Sequence, residues 1–469
     1  MKENQFENRI AFCVWINDIR NEPIIDSWPS VIIDKRILDD YKEMMVLLKR
    51  AGYNAFDIFG LLTNHNWPLD IKSVITSERK HLVEDMIKTA HNNDIKIIYG
   101  LGVYSWGFDK IINEDPEVRG TNPSAMCGSK PKAKEWQERV IDFVIDNFDI
   151  DGFHLEVADQ GRCKCPDCAK ENNVQYYSRI NSQTAQYIKE KSPDSLLLVN
   201  TCGYMPWGDF VKEEDFKYLY EMGKHIDVFI DGGNHGLFIR EEDRKKFIPE
   251  FECDYGTSGG FWIYPPQRWD RLRWFIPHMN RNAEHLKKLN NDGGRTCELY
   301  MGPAVNPGTE ANIFFNGLLL SDLERDNKDI LTEVVGSLYK PKSSGDLGDL
   351  VEIFTRAEDV FFNNWSQDRL TGIPKEYSDG LDDIFEWSKK TSERAFPGEL
   401  MLEPIQGNIP GPPVYLVIHM TPEGRMGYKN ELKDILNDLN KLGNGFDDAG
   451  RLNRIKVCIE NTIKDIDSI

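Results

Sequence analysis

The segment FDIDGFHLEVADQGRCKCPDC, residues 148–168, combines two kinds of chemically active side chain. Its first half is typical of a buried strand, and strand alternation puts His154 and Glu156 on one face. Glu156 stands at the carboxyl end of this strand, and Asp159 follows three residues later. A carboxylate there is costly to bury unless it is paired or functional. We predict that Glu156 and Asp159 are catalytic. The alternatives are a salt bridge or substrate hydrogen bond for Glu156 and a turn for Asp159.

The second half contains Cys163, Cys165 and Cys168 in the pattern C-x-C-x-x-C. Three thiolates this close supply three corners of a tetrahedral zinc site, and a fourth ligand must come from elsewhere. Cys127 is the first choice, because it lies in the loop expected beside this one, and Cys202 is the second. An all-thiolate site is closed, so we predict structural zinc without a catalytic role. A turn with unligated thiols is the alternative.

Short apolar runs alternate with stretches of helical periodicity through residues 1–325. The predicted strands, some of them running into loops, are 9–16, 53–60, 95–107, 150–156, 195–200, 226–236, 251–262 and 296–302. Strands that alternate with helices indicate a parallel sheet with right-handed crossovers. Eight such units favour a (β/α)8 TIM barrel over an open doubly wound sheet. The chain contains neither GxGxxG nor GxxxxGK(S/T), which argues against nucleotide binding.

The remaining residues, 326–469, predict a mostly helical C-terminal extension. A proline-rich connector at residues 398–420 interrupts its helical periodicity. The extension could shape the cleft of the barrel or form a homodimer, and the sequence does not choose between these roles.

Aromatic, amide and charged side chains follow nearly every predicted strand at its carboxyl end, where the active site of such a barrel lies. The candidates for substrate contact are Trp15, Asp57, Tyr104, Trp106, His154, Asn200, Tyr204, Trp207, Asp231, His235, Trp262, Tyr264 and Arg268. Aromatic faces stack on sugar rings and polar groups bond hydroxyls, although aromatic residues at these positions also fill barrel cores. Paired carboxylates cleave glycosidic bonds by acid/base chemistry, and Glu298 and Asp231 are further candidates for the second carboxylate. The set predicts a glycosidase with a carbohydrate substrate.

The chain resembles barrel-fold glycoside hydrolases. Residues 126–156 are similar to a passage of bacterial hydrolases in which a cysteine and a helix precede D-G-(I/F)-H-(L/F)-(D/E). The cysteine-rich loop resembles those of several such enzymes, including zinc-bearing beta-galactosidases, and the resemblance also points to Cys127. Residues 323–341 are similar to a segment of the hexosaminidase, alpha-glucuronidase and endo-beta-N-acetylglucosaminidase-like group. The resemblance implies the superfamily and no single family.

One departure from a related pattern bears on the acid. Chitinase-like enzymes carry D-G-(I/F)-D-(I/L)-D-x-E on this strand, with the glutamate as the acid. When Asp151 and Gly152 are aligned with that pattern, Ala158 occupies the glutamate position. The acid role would therefore pass to Glu156 or Asp159. Retaining, inverting and substrate-assisted mechanisms all stay open.

The composition of the chain disfavours some classes of binding partner. The formal net charge is −20 and the pI about 5.0, which disfavours nucleic acid and anionic membranes. The chain has no long apolar run and no signal peptide, so we expect a cytoplasmic protein, or a secreted one if a signal has been removed. Nine scattered cysteines do not resemble a disulfide scaffold, and no organic cofactor is expected.

Two other function classes fit the same residues. The first is a carbohydrate lyase, epimerase or isomerase that uses His154, His235 or Tyr264 as acid or base. The second is a barrel that binds carbohydrate without turning it over.

Overall fold

The structure is a computed structural model that describes residues 5–19, 32–63, 66–157, 161–204, 210–231, 239–240, 242–259, 272, 275–277, 279–301, 305–364, 422–443 and 445–468. Eight parallel strands form a closed barrel in chain order, and β8 pairs with β1. The strands are β1 Asn8–Trp15, β2 Ala55–Gly60, β3 Lys96–Gly102, β4 Gly152–Glu156, β5 Leu196–Asn200, β6 Val228–Asp231, β7 Asp254–Gly259 and β8 Thr296–Tyr300. The predicted (β/α)8 barrel and its eight strands are confirmed.

Helices connect the strands and cover the barrel. They are α1 Lys35–Ala51, α2 Ser77–His91, α3 Asp109–Glu114, α4 Pro131–Asn147, α5 Asn173–Lys191, α6 Phe216–Gly223, α7 Arg244–Phe247, α8 Met279–Asn291 and α9 Pro307–Ser321. Local sequence sets several of their ends. The carboxylate of Asp34 accepts a hydrogen bond from the N–H of Ile37 at the start of α1, and Gly52 ends that helix with a φ of 90°.

Alternation along the strands separates two cores. One face of each strand packs against the surrounding helices, and the other faces the barrel interior. The lower interior is apolar and contains Ile10, Ala55, Ile98, Leu198, Val228 and Ile230. Branched side chains fill the barrel there, so the interior is packed rather than hollow. The ionisable groups Asp57, His154 and Glu298 enter the interior above this floor, toward the carboxyl ends of the strands.

Four further helices follow the barrel: α10 Asn327–Tyr339, α11 Ser344–Asn364, α12 Pro422–Lys441 and α13 Ala449–Ser468. They form the helical part of the predicted extension, and the predicted boundary at residue 325 falls between α9 and α10. Helix α13 packs against α9. Arg451 of α13 contacts both carboxylate oxygens of Glu310, and the amide of Asn461 donates to the carbonyl of Leu272, which follows β7. The extension is therefore bonded to segments that follow the last two strands.

Among the described residues, no helix is both long enough and apolar enough to cross a membrane.

Candidate active site

Three charged side chains from alternate strands meet inside the barrel. Asp57 comes from β2, His154 from β4 and Glu298 from β8, and each is at most 1% exposed. The Nδ1 atom of His154 is hydrogen-bonded to Oδ2 of Asp57 and lies 3.8 Å from Oε2 of Glu298. Alternate strands of a barrel contribute side chains to one interior level, and here three of them are ionisable. We call Asp57, His154 and Glu298 the interior cluster.

Glu156 connects this cluster to the mouth of the barrel. It is two residues beyond His154 on the same face of β4. Its Oε2 atom lies 3.9 Å from Nε2 of His154, and its side chain is 20% exposed. The imidazole ring thus has buried carboxylates on its Nδ1 side and a partly exposed carboxylate on its Nε2 side.

The electrostatics of the interior cluster favour holding a proton. Burial opposes a charge on His154 most strongly, but Asp57 and Glu298 outweigh it and raise the pKa of His154 to about 10. Burial also raises the pKa of Asp57 above its ordinary range, although the charge on His154 opposes this shift. Both shifts keep a proton in the Asp57–His154 pair near neutral pH.

Aromatic rings cover the imidazole. The ring of Phe59 lies edge-on to His154 at a centroid distance of 4.9 Å, and the ring of Phe12 lies at 5.7 Å. Gly100 on β3 leaves the room for this arrangement, because a Cβ atom there would collide with the ring of Phe59. Phe59 also packs against Trp106 at 5.1 Å. Phe12, Phe59 and Gly100 are not among the residues predicted from the sequence, although glycines at alternate positions of β3 are a signal of close packing there.

Three predicted substrate contacts lie at or beyond the carboxyl ends of their strands. Trp106 is half-buried beside Phe59 in the loop after β3. Asn200 ends β5, and its side-chain oxygen accepts from the N–H of Cys202 at 2.9 Å. Tyr104 is 3% exposed and its N–H donates to the side-chain oxygen of Gln137, so it packs inside the protein rather than offering a sugar an open face.

Two other predicted contacts point away from the interior. Tyr204 is fully buried, and its hydroxyl accepts from the amide of Asn181 at 2.6 Å. Asp231 alternates with Ile230, which belongs to the interior apolar floor, so Asp231 faces outward. It accepts a hydrogen bond from the hydroxyl of Tyr255. The prediction that Tyr204 and Asp231 line the mouth, and that Asp231 could be the second carboxylate, is corrected by this placement.

The other predicted site residues cannot be placed. Asp159, Trp207, His235, Trp262, Tyr264 and Arg268 lie outside the described residues. Trp15 ends β1, and only its backbone is described. Their roles stay predictions.

A second group of ligand-type side chains lies beside the barrel. The sulfur atoms of Cys127, Cys163, Cys165 and Cys168, which we call the thiolate cluster, all lie within 4.8 Å of one another. The distances from Cys127 to Cys165 and to Cys168 are both 3.7 Å. A disulfide needs about 2.05 Å, whereas zinc–sulfur bonds of about 2.3 Å give a tetrahedron with edges of about 3.8 Å. The spacing thus fits four ligands of one ion.

Local backbone geometry supports this cluster. The N–H groups of Thr121 and Cys165 each lie 3.4 Å from the sulfur of Cys163, in a position to donate to it. Gly120 must lack a side chain, because a Cβ atom there would collide with that same sulfur. Donors of this kind stabilise a thiolate, which is the form that binds metal. Because Cys127 precedes α4 and the other three cysteines precede α5, the cluster joins the loops after β3 and β4.

Comparisons with known proteins give the fold. No protein-family profile matches the sequence, and no curated protein matches it. Solved structures do match, among them a GH138 enzyme targeting pectin rhamnogalacturonan II, with a TM-score of 0.59 and 7% identity over 99% of this chain. This chain spans only 58% of that enzyme.

Two weaker matches are also glycoside hydrolases by their names. One is a variant of the Thermobaculum terrenum O-GlcNAc hydrolase, with a TM-score of 0.47 and 10% identity, covering 98% of this chain and 94% of that one. The other is a beta-N-acetylhexosaminidase from Bacteroides fragilis, with a TM-score of 0.45 and 13% identity, covering 71% of this chain and 70% of that one. At such identities the likeness concerns the fold alone.

Proposed function

We propose that this protein is a glycoside hydrolase that cleaves a glycosidic bond in an oligosaccharide or glycoconjugate. The observation that carries the proposal is the position of Glu156, a partly exposed carboxylate at the carboxyl end of β4, above a buried charged cluster. Active sites of such barrels lie at this end, and glycosidic cleavage uses carboxylates. The GH138 enzyme with the similar fold acts on a pectin glycan, which supports the same class of substrate.

The carboxylates have different parts in this proposal. Glu156 contacts the sugar, because it is the exposed member of the group around His154. Glu298 is 1% exposed and lies beneath, so it acts through His154 rather than on the substrate. Asp159 remains the candidate for the second catalytic carboxylate on its sequence position alone. Trp106 and Asn200 would contact the sugar beside Glu156.

A substrate panel with matched variants tests the proposal. Wild-type protein, Glu156→Gln and the exposed control Glu214→Gln are incubated with plant, bacterial and host oligosaccharides, and the products are identified by mass spectrometry. We expect hydrolysis of at least one glycan, a loss of about 10²–10⁴-fold for Glu156→Gln, and no change for the control. Binding without turnover, an unsaturated product or an isomerised sugar would each reject the hydrolase and indicate the corresponding other class.

We also propose that the thiolate cluster holds a structural zinc ion. Its four sulfur ligands leave no position for a substrate, so the metal would hold the loop after β4 in place rather than take part in the reaction. The test is the metal content of purified protein. We expect about one zinc per chain, a loss in Cys127→Ser, and no loss in Cys202→Ser, because Cys202 is not part of the cluster. A wild-type zinc content far below one per chain would reject the site.

A cytoplasmic location is part of the same proposal. All nine cysteines lie in the described part of the chain, and none of them forms a disulfide there. Cysteines without disulfide bonds are typical of a reducing compartment.

A further inference from the structure

The imidazole of His154 has carboxylates on both sides of its ring. Its Nδ1 side faces Asp57 of β2 and Glu298 of β8, and its Nε2 atom lies 3.9 Å from Glu156 of its own strand. The rings of Phe12 and Phe59 cover the imidazole. These contacts place the basic group of His154 among the three acids.

Exposure decides which acid keeps a negative charge. Three carboxylates around one imidazolium cannot all ionise cheaply in a buried site, because each loses the solvation of water. Asp57 and Glu298 are almost fully buried, whereas the side chain of Glu156 is 20% exposed. Glu156 therefore has the smallest desolvation cost of the three carboxylates, and the imidazolium of His154 lies 3.9 Å from it. The shared proton thus belongs with the buried Asp57–His154 pair, and Glu156 is the carboxylate that stays ionised most readily.

We propose that His154 is a positioning residue that supports Glu156 as a carboxylate anion, so that Glu156 is the nucleophile or base of the reaction and not the proton donor. The inference rests on the proposed hydrolase function and assigns a role within it. Asp57 and Glu298 in turn keep His154 protonated and fixed in orientation. The comparison with the chitinase-like pattern passes the acid role to Glu156 or Asp159, and this inference removes Glu156 from that pair.

The chemistry then has two balanced forms. As a nucleophile, Glu156 bonds to the anomeric carbon while the glycosidic C–O bond breaks, and the departing oxygen takes a proton from a separate acid. Water then bonds to the anomeric carbon and gives a proton back to that acid, while the bond to Glu156 breaks and restores its anion. As a base, Glu156 takes a proton from a water that bonds to the anomeric carbon while the glycosidic C–O bond breaks, and the separate acid protonates the departing oxygen. In both forms Glu156 starts as an anion.

The coupling can be measured without any substrate. If His154 stabilises the anion of Glu156, then Glu156 stabilises the protonated form of His154 by the same free energy, since linkage between two sites is reciprocal. Protein with labelled histidine rings is titrated by NMR, and the signal of His154 is assigned among the nine histidines by its loss in His154→Gln. We expect Glu156→Gln to lower the midpoint of His154 by about one pH unit.

A matched pair calibrates this shift. Glu84 lies 3.1 Å from His81 on the surface, with side chains 43% and 78% exposed. The control Glu84→Gln removes this carboxylate and should leave the midpoint of His154 in place. If Glu156→Gln moves the midpoint of His154 no further than Glu84→Gln does, the inference is overturned. A His154 signal that titrates only after metal chelation would also overturn it, because Asp57, His154 and Glu298 would then hold an ion instead of a proton.

Activity provides the second readout. In His154→Gln, the acidic limb of kcat/KM should move upward by about one pH unit, because the anion of Glu156 has lost its cation. His81→Gln should leave the limb in place. If the acidic limb of kcat/KM moves to lower pH or stays fixed in His154→Gln, the proposed role of His154 as a positioning residue is wrong. If no glycan is hydrolysed at all, the proposed function fails while the NMR coupling still decides whether His154 supports Glu156.

Discussion

The thiolate cluster and the interior cluster present the same physical problem in two parts of one barrel. Each brings together groups that repel one another when ionised and that are mostly removed from water. The sulfur atoms of Cys127 and Cys165 are 3.7 Å apart, and two carboxylates lie within 3.9 Å of the ring of His154 in addition to its bonded partner. Such groups stay ionised in a buried site only if a positive charge compensates them, and otherwise they take up a proton and become neutral.

The two clusters obtain this charge differently. The interior cluster contains its own cation, the protonated ring of His154. The hydrogen-bond contacts of the thiolate cluster are backbone N–H groups and the hydroxyls of Thr121 and Ser129, which carry no full charge. In our proposal a proton therefore compensates the carboxylates inside the barrel, whereas a metal ion compensates the thiolates. The comparison predicts that one cluster responds to chelators and the other to pH.

The largest expected effect is that of metal removal. A metal held 1,000-fold above its dissociation constant stabilises the folded state by about 4 kcal/mol, and structural zinc sites commonly exceed this. We expect a strong chelator to lower the free energy of unfolding by at least about 4 kcal/mol, as measured by urea denaturation. Added zinc should restore the loss in wild-type protein and not in Cys163→Ser.

The same experiment contrasts the two clusters. Chelation should leave the difference in stability between wild type and Asp57→Asn unchanged, because our proposal places a proton rather than a metal ion in the interior cluster. A chelator effect that disappears in Asp57→Asn would show that the metal is bound inside the barrel, and the comparison between the clusters would then fail.

The next largest effect concerns Asp57→Asn. Removing one partner of a buried ion pair typically costs about 3–5 kcal/mol, and asparagine retains one hydrogen-bond acceptor, so we expect about 3 kcal/mol. The measurement is again urea denaturation at neutral pH. The control is Asp94→Asn, which removes an exposed pair with Lys49 and should cost less than about 1 kcal/mol. Equal costs for the two variants would show that burial does not set the energy of the Asp57–His154 pair.

The two clusters also differ in how far the sequence predicts them. Cys163, Cys165 and Cys168 lie within six residues, so their spacing alone predicted a shared ligand set, and loop adjacency in the barrel added Cys127. The eight strands were equally predictable from alternating periodicity. In the interior cluster, Asp57 and His154 are about 100 positions apart in the sequence, and His154 and Glu298 are about 150 apart. Only the closed barrel brings them together. Asp231 was misplaced because it lies one residue off the inward-facing register of β6, where Ile230 points inward.

A third effect is pH dependence. The folded pKa of His154 is raised to about 10, above its ordinary value, so the folded chain binds an extra proton between the two values. The contribution of His154 to the free energy of unfolding is complete below about pH 6.5. It is lost as the pH rises toward 10, at a slope of about 1.4 kcal/mol per pH unit. The raised pKa of Asp57 acts in the same direction. Between pH 7 and 8.5, the free energy of unfolding, measured by urea denaturation, should fall by about 2 kcal/mol more in the wild type than in His154→Gln. An equal fall in the two proteins would contradict a buried proton on His154.

The smallest expected effect on the free energy of unfolding concerns a buried acid that is compensated by a permanently charged side chain. Glu310 is 7% exposed at its side chain and receives two bonds from Arg451 of the extension, at 2.7 Å and 3.0 Å. Lysine keeps the charge but cannot form this two-pronged contact, so Arg451→Lys should cost about 1 kcal/mol with no dependence on chelator and little on pH. Arg356→Lys is the control, because Arg356 contacts two more exposed acids. If both substitutions lower the free energy of unfolding equally, the two-bond contact at Glu310 contributes nothing beyond its charge. If only Arg451→Lys lowers it, a permanently charged side chain compensates the buried acid without depending on pH or on metal.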